Sequence, residues 1–184
     1  RKDGALAGDK LFLSKPLGFG VTNTATKREL ASLEEQAEVV RWMSSLNKDV
    51  SALALEFGVR AGTDVTGFGL MGHAWEMAKG AGVELQIAFE RLPFTSAARK
   101  FAEAYTFPGG SLDNRKFYKN HVDLPEGLSK GEEMLLFDAQ TSGGLLLSVA
   151  AEKASEFTHE AQERDIPLWE IGQAVAGPAR IRVV

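Results

Sequence analysis

Apolar positions recur along this chain in two rhythms, one near every second residue and one near every third or fourth. Leu11-Phe12-Leu13 opens a short apolar strand near Lys10–Ser14, and Pro16, Gly18 and Gly20 mark a turn or irregular edge after it. Ser32 and Glu35 have the spacing of a capping box, ahead of a helix whose apolar face carries Leu33, Ala37 and Val40. Asn47 offers a second helix start. Val50, Leu53, Ala54 and Phe57 follow at helical spacing until Gly58 ends that helix. A strand over Val59–Thr63 then leads through a glycine-containing junction into a helix over Leu70–Ala81, closed by Gly80 and Gly82.

Val83–Phe89 alternates with period two and predicts a strand with one buried face. Thr95 can cap a helix with Ala98, Phe101, Ala102 and Tyr105 on one side. From Phe107 to Gly131 the chain is rich in Gly, Asn, Asp, Pro and Lys and reads as a long loop, functional or mobile at that length. Glu133–Phe137 and Leu145–Val149 read as buried strands flanking the connection Asp138–Gly144. A helix over Ala151–Arg164, a strand over Leu168–Val175, a Gly177-Pro178 turn and a strand over Arg180–Val184 complete the chain. Irregular alternation, with strand pairs toward the C-terminal end, predicts an α+β fold: one mixed, largely antiparallel sheet with packed helices.

Composition narrows the function classes. A length of 184 residues suits one large domain, enough to bury roughly two thirds of its unfolded surface. The net charge is −4 with both signs interleaved and no Lys/Arg-rich run, which argues against nucleic acid or an anionic membrane as partner. The chain has no cysteine, excluding disulfides, zinc–thiolate sites and a cysteine nucleophile within it and fitting a reducing compartment. No apolar run is long enough to span a bilayer and no secretory signal opens the chain. The expectation is a soluble cytoplasmic protein. Residues 1–10 are polar, contain glycine and begin without methionine. They read as a linker from an upstream domain, with residues 11–184 forming one α+β domain.

The chemistry concentrates in Gly62-Thr63-Asp64-Val65-Thr66-Gly67-Phe68-Gly69-Leu70. Helix N-termini present unpaired N–H groups and partial positive charge, so a strand–glycine–helix junction is a common phosphate site. Asp64 there either caps the helix or holds a metal that an anion shares. Gly67 and Gly69 allow either a tight turn or the close approach of a phosphate. Thr63 and Thr66 fit hydroxyl donation to phosphate or helix capping, and His73, His121 and His159 show no metal-site spacing. Thr141, Ser142, Gly143 and Gly144 fit a backbone nest for an anion or a plain connecting loop. The string Gly67 to Gly72 also matches G-x-G-x-x-G, with Glu90 following the next strand. Against a dinucleotide stand the polar residues Thr63, Asp64 and Thr66, and a βαβ pattern that does not repeat.

Thr63-Asp64-Val65-Thr66-Gly67-Phe68-Gly69-Leu70-Met71-Gly72-His73 resembles the signature of selenophosphate synthetases. Lys15-Pro16-Leu17-Gly18-Phe19-Gly20, Pro108-Gly109-Gly110-Ser111 with Asn114, and Gln140-Thr141-Ser142-Gly143-Gly144-Leu145-Leu146 resemble three further motifs of that family, in family order. The resemblance covers positions 15 to 146. It implies the C-terminal α+β domain of an ATP-using enzyme related to aminoimidazole ribonucleotide synthetase and thiamine-monophosphate kinase. Such enzymes convert ATP, selenide and water into selenophosphate, AMP and phosphate with magnesium, and generally dimerise. By resemblance Asp64 is a magnesium ligand, while Gly67, Thr141 and Ser142 contact the nucleotide, which the missing N-terminal domain of the same chain mostly binds. That domain would also carry the Cys or selenocysteine nucleophile and its lysine, so no catalytic residue is assigned here. Ala139 stands where the family commonly has proline, and Phe19 where it has a small polar residue. Two other readings stay open: another enzyme of the same group, such as a small-molecule kinase, or a non-catalytic nucleotide-binding or interaction module.

Overall fold

A computed structural model describes residues 2–184; Arg1, the first residue of the expected 1–10 linker, lies outside them. In chain order the elements are β1 (Lys10–Leu13), α1 (Phe19–Lys27), α2 (Leu33–Ser44), α3 (Lys48–Glu56), β2 (Ala61–Asp64), α4 (Gly69–Ala81), β3 (Glu84–Ile87) and α5 (Ala98–Glu103). There follow α6 (Gly109–Tyr118), β4 (Val122–Asp123), α7 (Lys130–Leu136), β5 (Leu145–Val149), α8 (Ala151–Glu163), β6 (Trp169–Val175) and β7 (Arg180–Val183). All the strands form one sheet in the order β2-β5-β1-β6-β3-β7-β4. The β2–β5, β5–β1, β1–β6 and β6–β3 pairings are antiparallel; β3–β7 and β7–β4 are parallel. The fold is the α+β arrangement with a mixed, largely antiparallel sheet that the sequence predicts.

Strand alternation separates two cores. Leu11 and Leu13 of β1 join Leu85, Leu146 and Ile171 against Leu70, Met71 and Met77 of α4. Phe12, between them, turns to the other face, where Leu147, Val149, Leu53 of α3 and Phe157 of α8 enclose it. A third cluster joins Val21, Ala98, Phe101, Met134 and Leu135, from α1, α5 and α7. Among the described residues no helix is long and apolar enough to cross a membrane.

Several local expectations are corrected. Glu133–Phe137 is not a strand, because Lys130–Leu136 is helical and begins at a capping box of Ser129 and Glu132. Met134 and Leu135 belong to one core and Leu136 and Phe137 to another. A helix buried on more than one side shows no single apolar stripe. Asp138–Gly144 therefore joins a helix to a strand rather than two strands.

Phe107–Gly131 is not a loop either: it holds α6, a short 3-10 turn and β4. Helix α1 occupies Phe19–Lys27, where only a turn or irregular edge is expected. The Ser32–Glu35 capping box forms, yet Leu33 is 84% and Val40 57% exposed, and Val39 is the buried residue of α2. Periodicity there marks an apolar face without supplying a core to cover it. Thr95 does not cap α5; Ala97 holds that position, and the Thr95 hydroxyl is buried without a partner among the described residues.

Candidate functional site at the end of strand β2

The edge strand β2 delivers Asp64 as its last residue, in register with Leu145, the first residue of β5. The segment leaving β2 (residues 64–68) and the segment entering β5 (residues 141–144) therefore lie side by side at one end of the sheet. Backbone bonds tie them: Val65 N–H donates to Gly144 O at 2.8 Å and Gln140 N–H to Thr66 O at 3.0 Å. A third segment follows β1, where Leu145 N–H donates to the Ser14 hydroxyl at 2.8 Å. The fourth comes from α6, whose Asn114 amide donates to Gly67 O at 2.7 Å and to Phe137 O at 3.1 Å. The four motifs that are far apart in sequence thus meet at one end of the sheet.

Beneath this surface is a buried polar hub. Asp138 is fully buried and accepts from Val21 N–H at 3.1 Å, the Ser111 hydroxyl at 2.9 Å and the Gln140 amide at 3.2 Å. Gln140 Oε1 accepts from Phe19 N–H at 3.1 Å. Asp138 and Gln140 thereby satisfy the first turn of α1, whose own N-cap residue, Gly18, supplies no side-chain bond. Burial pushes the Asp138 carboxyl up to about 7, against the pull of these donors.

Asp64 itself is exposed and caps nothing: α4 begins at Gly69, its N-cap position is Phe68, and no side chain caps it. The capping alternative for Asp64 is removed. Asp64 borders an open depression of about 410 Å³ lined also by Gly62, Leu55 and Leu145. Among the described residues no group of three or more His, Cys, Asp or Glu side chains is placed to hold a metal. Magnesium takes hard oxygen ligands in octahedral geometry. Asp64 fits as one such ligand, and the remaining ones must come from the nucleotide, water or another domain.

Thr66 bonds through its hydroxyl to His73 Nε2 at 3.1 Å, and His73 Nδ1 lies 3.2 Å from Glu76 Oε2. Burial holds His73 below its usual value, partly offset by Glu76. A carboxylate only accepts, so Nδ1 carries the ring hydrogen and Nε2 accepts from Thr66. His73 is a packed residue that fastens the junction to α4.

The two junction glycines differ. Gly69 has φ 68°, and a Cβ there would lie 2.8 Å from Phe137 O. Gly67 is exposed, and a Cβ there meets nothing within 4 Å. Gly69→Ala should therefore destabilise the domain by about 1–3 kcal/mol through backbone strain and overlap. Gly67→Ala should stay within about 0.5 kcal/mol of wild type. Thermal melts of the two variants check the contrast; equal losses would contradict it.

Thr141 and Ser142 are exposed beside this junction, and Ser142 has φ 52°. Such left-handed residues occur in turns that gather backbone N–H groups around an anion. The G-x-G-x-x-G reading loses its context, because β5, β1 and β6 separate β2 from β3 in the sheet. A dinucleotide unit needs those strands adjacent. Sequence reasoning assigned no site role to Asp138, and Ser111 entered only as part of a motif. Asp138 follows an apolar run, and a carboxylate in that position was the available signal.

The pattern of the family described as AIR synthase related protein, C-terminal domain, matches residues 7–184. The selenide, water dikinase of Caldanaerobacter subterraneus subsp. tengcongensis is 46% identical over 153 residues, 83% of this chain and 44% of that protein. The chain spans about half the length of the curated relatives it matches. The fold is shared with thiamine-monophosphate kinase from Stenotrophomonas maltophilia (TM-score 0.70, 18% identity, 100% of this chain and 52% of that one). It is shared equally with the hydrogenase maturation protein HypE in complex with ATP (TM-score 0.71, 17% identity, 100% of this chain and 49% of that one).

Proposed function

The chain belongs to the AIR synthase related protein C-terminal domain family, and from that premise we propose that it is the C-terminal domain of a selenide, water dikinase. The whole enzyme makes selenophosphate from selenide, ATP and water, releasing AMP and phosphate. Residues 1–10 lead in from an N-terminal ATP-binding domain and already pack on this one through Ala5 and Asp9, residues 11–184 form the rest of the domain, and the enzyme is a cytoplasmic homodimer. One observation carries the reading: Asp64, exposed and capping no helix, ends the strand whose backbone is bonded to the Thr141–Gly144 segment, on a platform assembled from four separate motifs.

Asp64 supplies one oxygen to magnesium, which offsets charge on the nucleotide phosphates when bound. Exposed Gly67 leaves room for a phosphate to approach the backbone, and Thr141 and Ser142 face the same ligand from the neighbouring segment. Nothing in this chain offers a nucleophile of the family's kind, since it has no cysteine.

Selenide-dependent formation of AMP tests the reading. The 184-residue chain alone should form none, and the protein joined to its N-terminal half should form it. Activity in the isolated chain would overturn the division of the site. A joined protein that hydrolyses ATP without needing selenide would point to a different member of the group.

A further inference from the structure

A second cavity, of about 390 Å³, lies between the α2–α3 link, the first turn of α3 and the connection from α8 to β6. It shares no lining residue with the depression at Asp64, and its volume falls in the range of small-molecule sites. Lys15, just past β1, lines it and is 3% exposed. The ammonium donates to Ser45 O at 2.7 Å and Ser142 O at 2.9 Å, two neutral carbonyls. Ser45 also lines the cavity, so its carbonyl holds the ammonium at the wall. Lys15 takes part in no ion pair among the described residues. An ammonium carries three N–H donors, so one donor and the charge have no partner among them. Burying a charge unpaired is costly, and burial pulls the Lys15 pKa down.

The other walls narrow the ligand. The first turn of α3 lines the same cavity with no side-chain cap, because the Asn47 amide donates instead to Gly143 O at 2.9 Å. The partial positive charge at that helix start has the same sign as Lys15. Lys48 is exposed and in no ion pair among the described residues, which adds a second ammonium at the rim. Trp42, Leu46 and Pro167 supply apolar surface, with the Trp42 ring braced by Trp169 in a T-shaped pair at 6.1 Å. Arg164 borders the cavity but is engaged by Glu56 and Glu160. Two exposed acidic residues, Asp49 and Asp165, border it as well. Their repulsion grows with each charge on a ligand, so one negative charge is favoured over several.

We propose that this cavity binds a small organic monoanion, its carboxylate on Lys15 and its apolar body against Trp42, Leu46 and Pro167. Such a ligand compensates a lysine buried without a carboxylate and covers Leu46, which is 80% exposed. The site uses neither Asp64 nor a nucleotide and stands apart from the selenide, water dikinase reading.

The test titrates benzoate into the isotope-labelled 184-residue chain. Benzamide and benzamidine serve as its neutral and cationic counterparts, and inorganic phosphate as a multiply charged anion. The Trp42 indole N–H and the amides of residues 45–50 and 164–166 report binding. Benzoate should shift these resonances saturably and bind at least about tenfold more tightly than the other three, the scale of one charge-assisted hydrogen bond. Lys15→Met should lose that preference. Lys48→Glu reverses an exposed charge at a helix start, where an acid is favourable. It should weaken benzoate about threefold or more, with the melting temperature unchanged or higher. If Lys15→Met does not fold, Lys48→Glu decides alone. Benzoate binding left unweakened in a folded variant would overturn the site. Benzoate binding no tighter than benzamide, benzamidine or phosphate would do the same, as would the absence of any saturable shift at these residues.

Discussion

Asp64→Asn should leave the domain folded and raise the magnesium concentration required by the two-domain enzyme by about 10- to 100-fold, the scale seen when a metal site loses an oriented ligand or its support. The fold has little stake in this side chain. Asp64 ends an edge strand, is exposed, and caps no helix, so the stability change should lie within about 0.5 kcal/mol. Asparagine keeps one oxygen but loses the charge that a hard divalent cation prefers. Activity measured against magnesium concentration, at saturating ATP and selenide, separates the outcomes. Recovery at high magnesium supports a ligand role, and an unchanged titration would reduce Asp64 to a surface residue.

Asp138→Ala should be the most damaging single change to stability, at about 3–5 kcal/mol. It removes the acceptor shared by Val21 N–H, the Ser111 hydroxyl and the Gln140 amide inside a fully buried site. For a chain of this size that corresponds to a fall in melting temperature of about 10 °C or more. Asp138→Asn should be milder, because its oxygen can accept from Val21 and Gln140 while its nitrogen donates to Ser111 Oγ.

The pair also predicts a pH dependence. The folded-state pKa of Asp138 is raised from 3.8 to about 7, so protonation favours the folded state. That stabilisation is complete below the unfolded value and is lost as pH rises through about 7. Wild-type melting temperature should fall from pH 5 toward pH 8, and Asp138→Asn should lose most of that dependence. A wild-type profile flat across this window would show that the donors outweigh burial and keep the carboxylate ionised.

What the sequence made legible follows from the range of each signal. The Ser32–Glu35 box, the Gly82 stop and the period-two run in β3 act over a few residues, and the elements they announce are present. Helix α1 was hidden because the groups that satisfy its first turn, Asp138 and Gln140, lie far along the chain. Helix α7 carries no one-sided period that would announce it, because it is buried toward two cores. Leu33, Ala37 and Val40 sit on one face as their spacing requires, but spacing does not say what lies opposite.

The same division holds at the site. Asp64, Gly67, Thr141 and Ser142 stood out as residue types in suggestive places, and the sheet register brings their two segments together. Ser111 and Asn114 lie in one of the motifs, but their contacts with Asp138, Gly67 and Phe137 join segments far apart in the chain, which no local pattern encodes.

The central claim is that this domain presents Asp64 and the Thr141–Gly144 turn to one metal–nucleotide complex. Paramagnetic broadening by manganese–ATP in the two-domain protein tests it most directly, read at the backbone amides of this domain. Amides of residues 64–67 and 141–144 should broaden together, strongly reduced in Asp64→Asn, while those of β4 at the far edge of the sheet stay sharp. Broadening centred elsewhere, or undiminished in Asp64→Asn, would contradict the account.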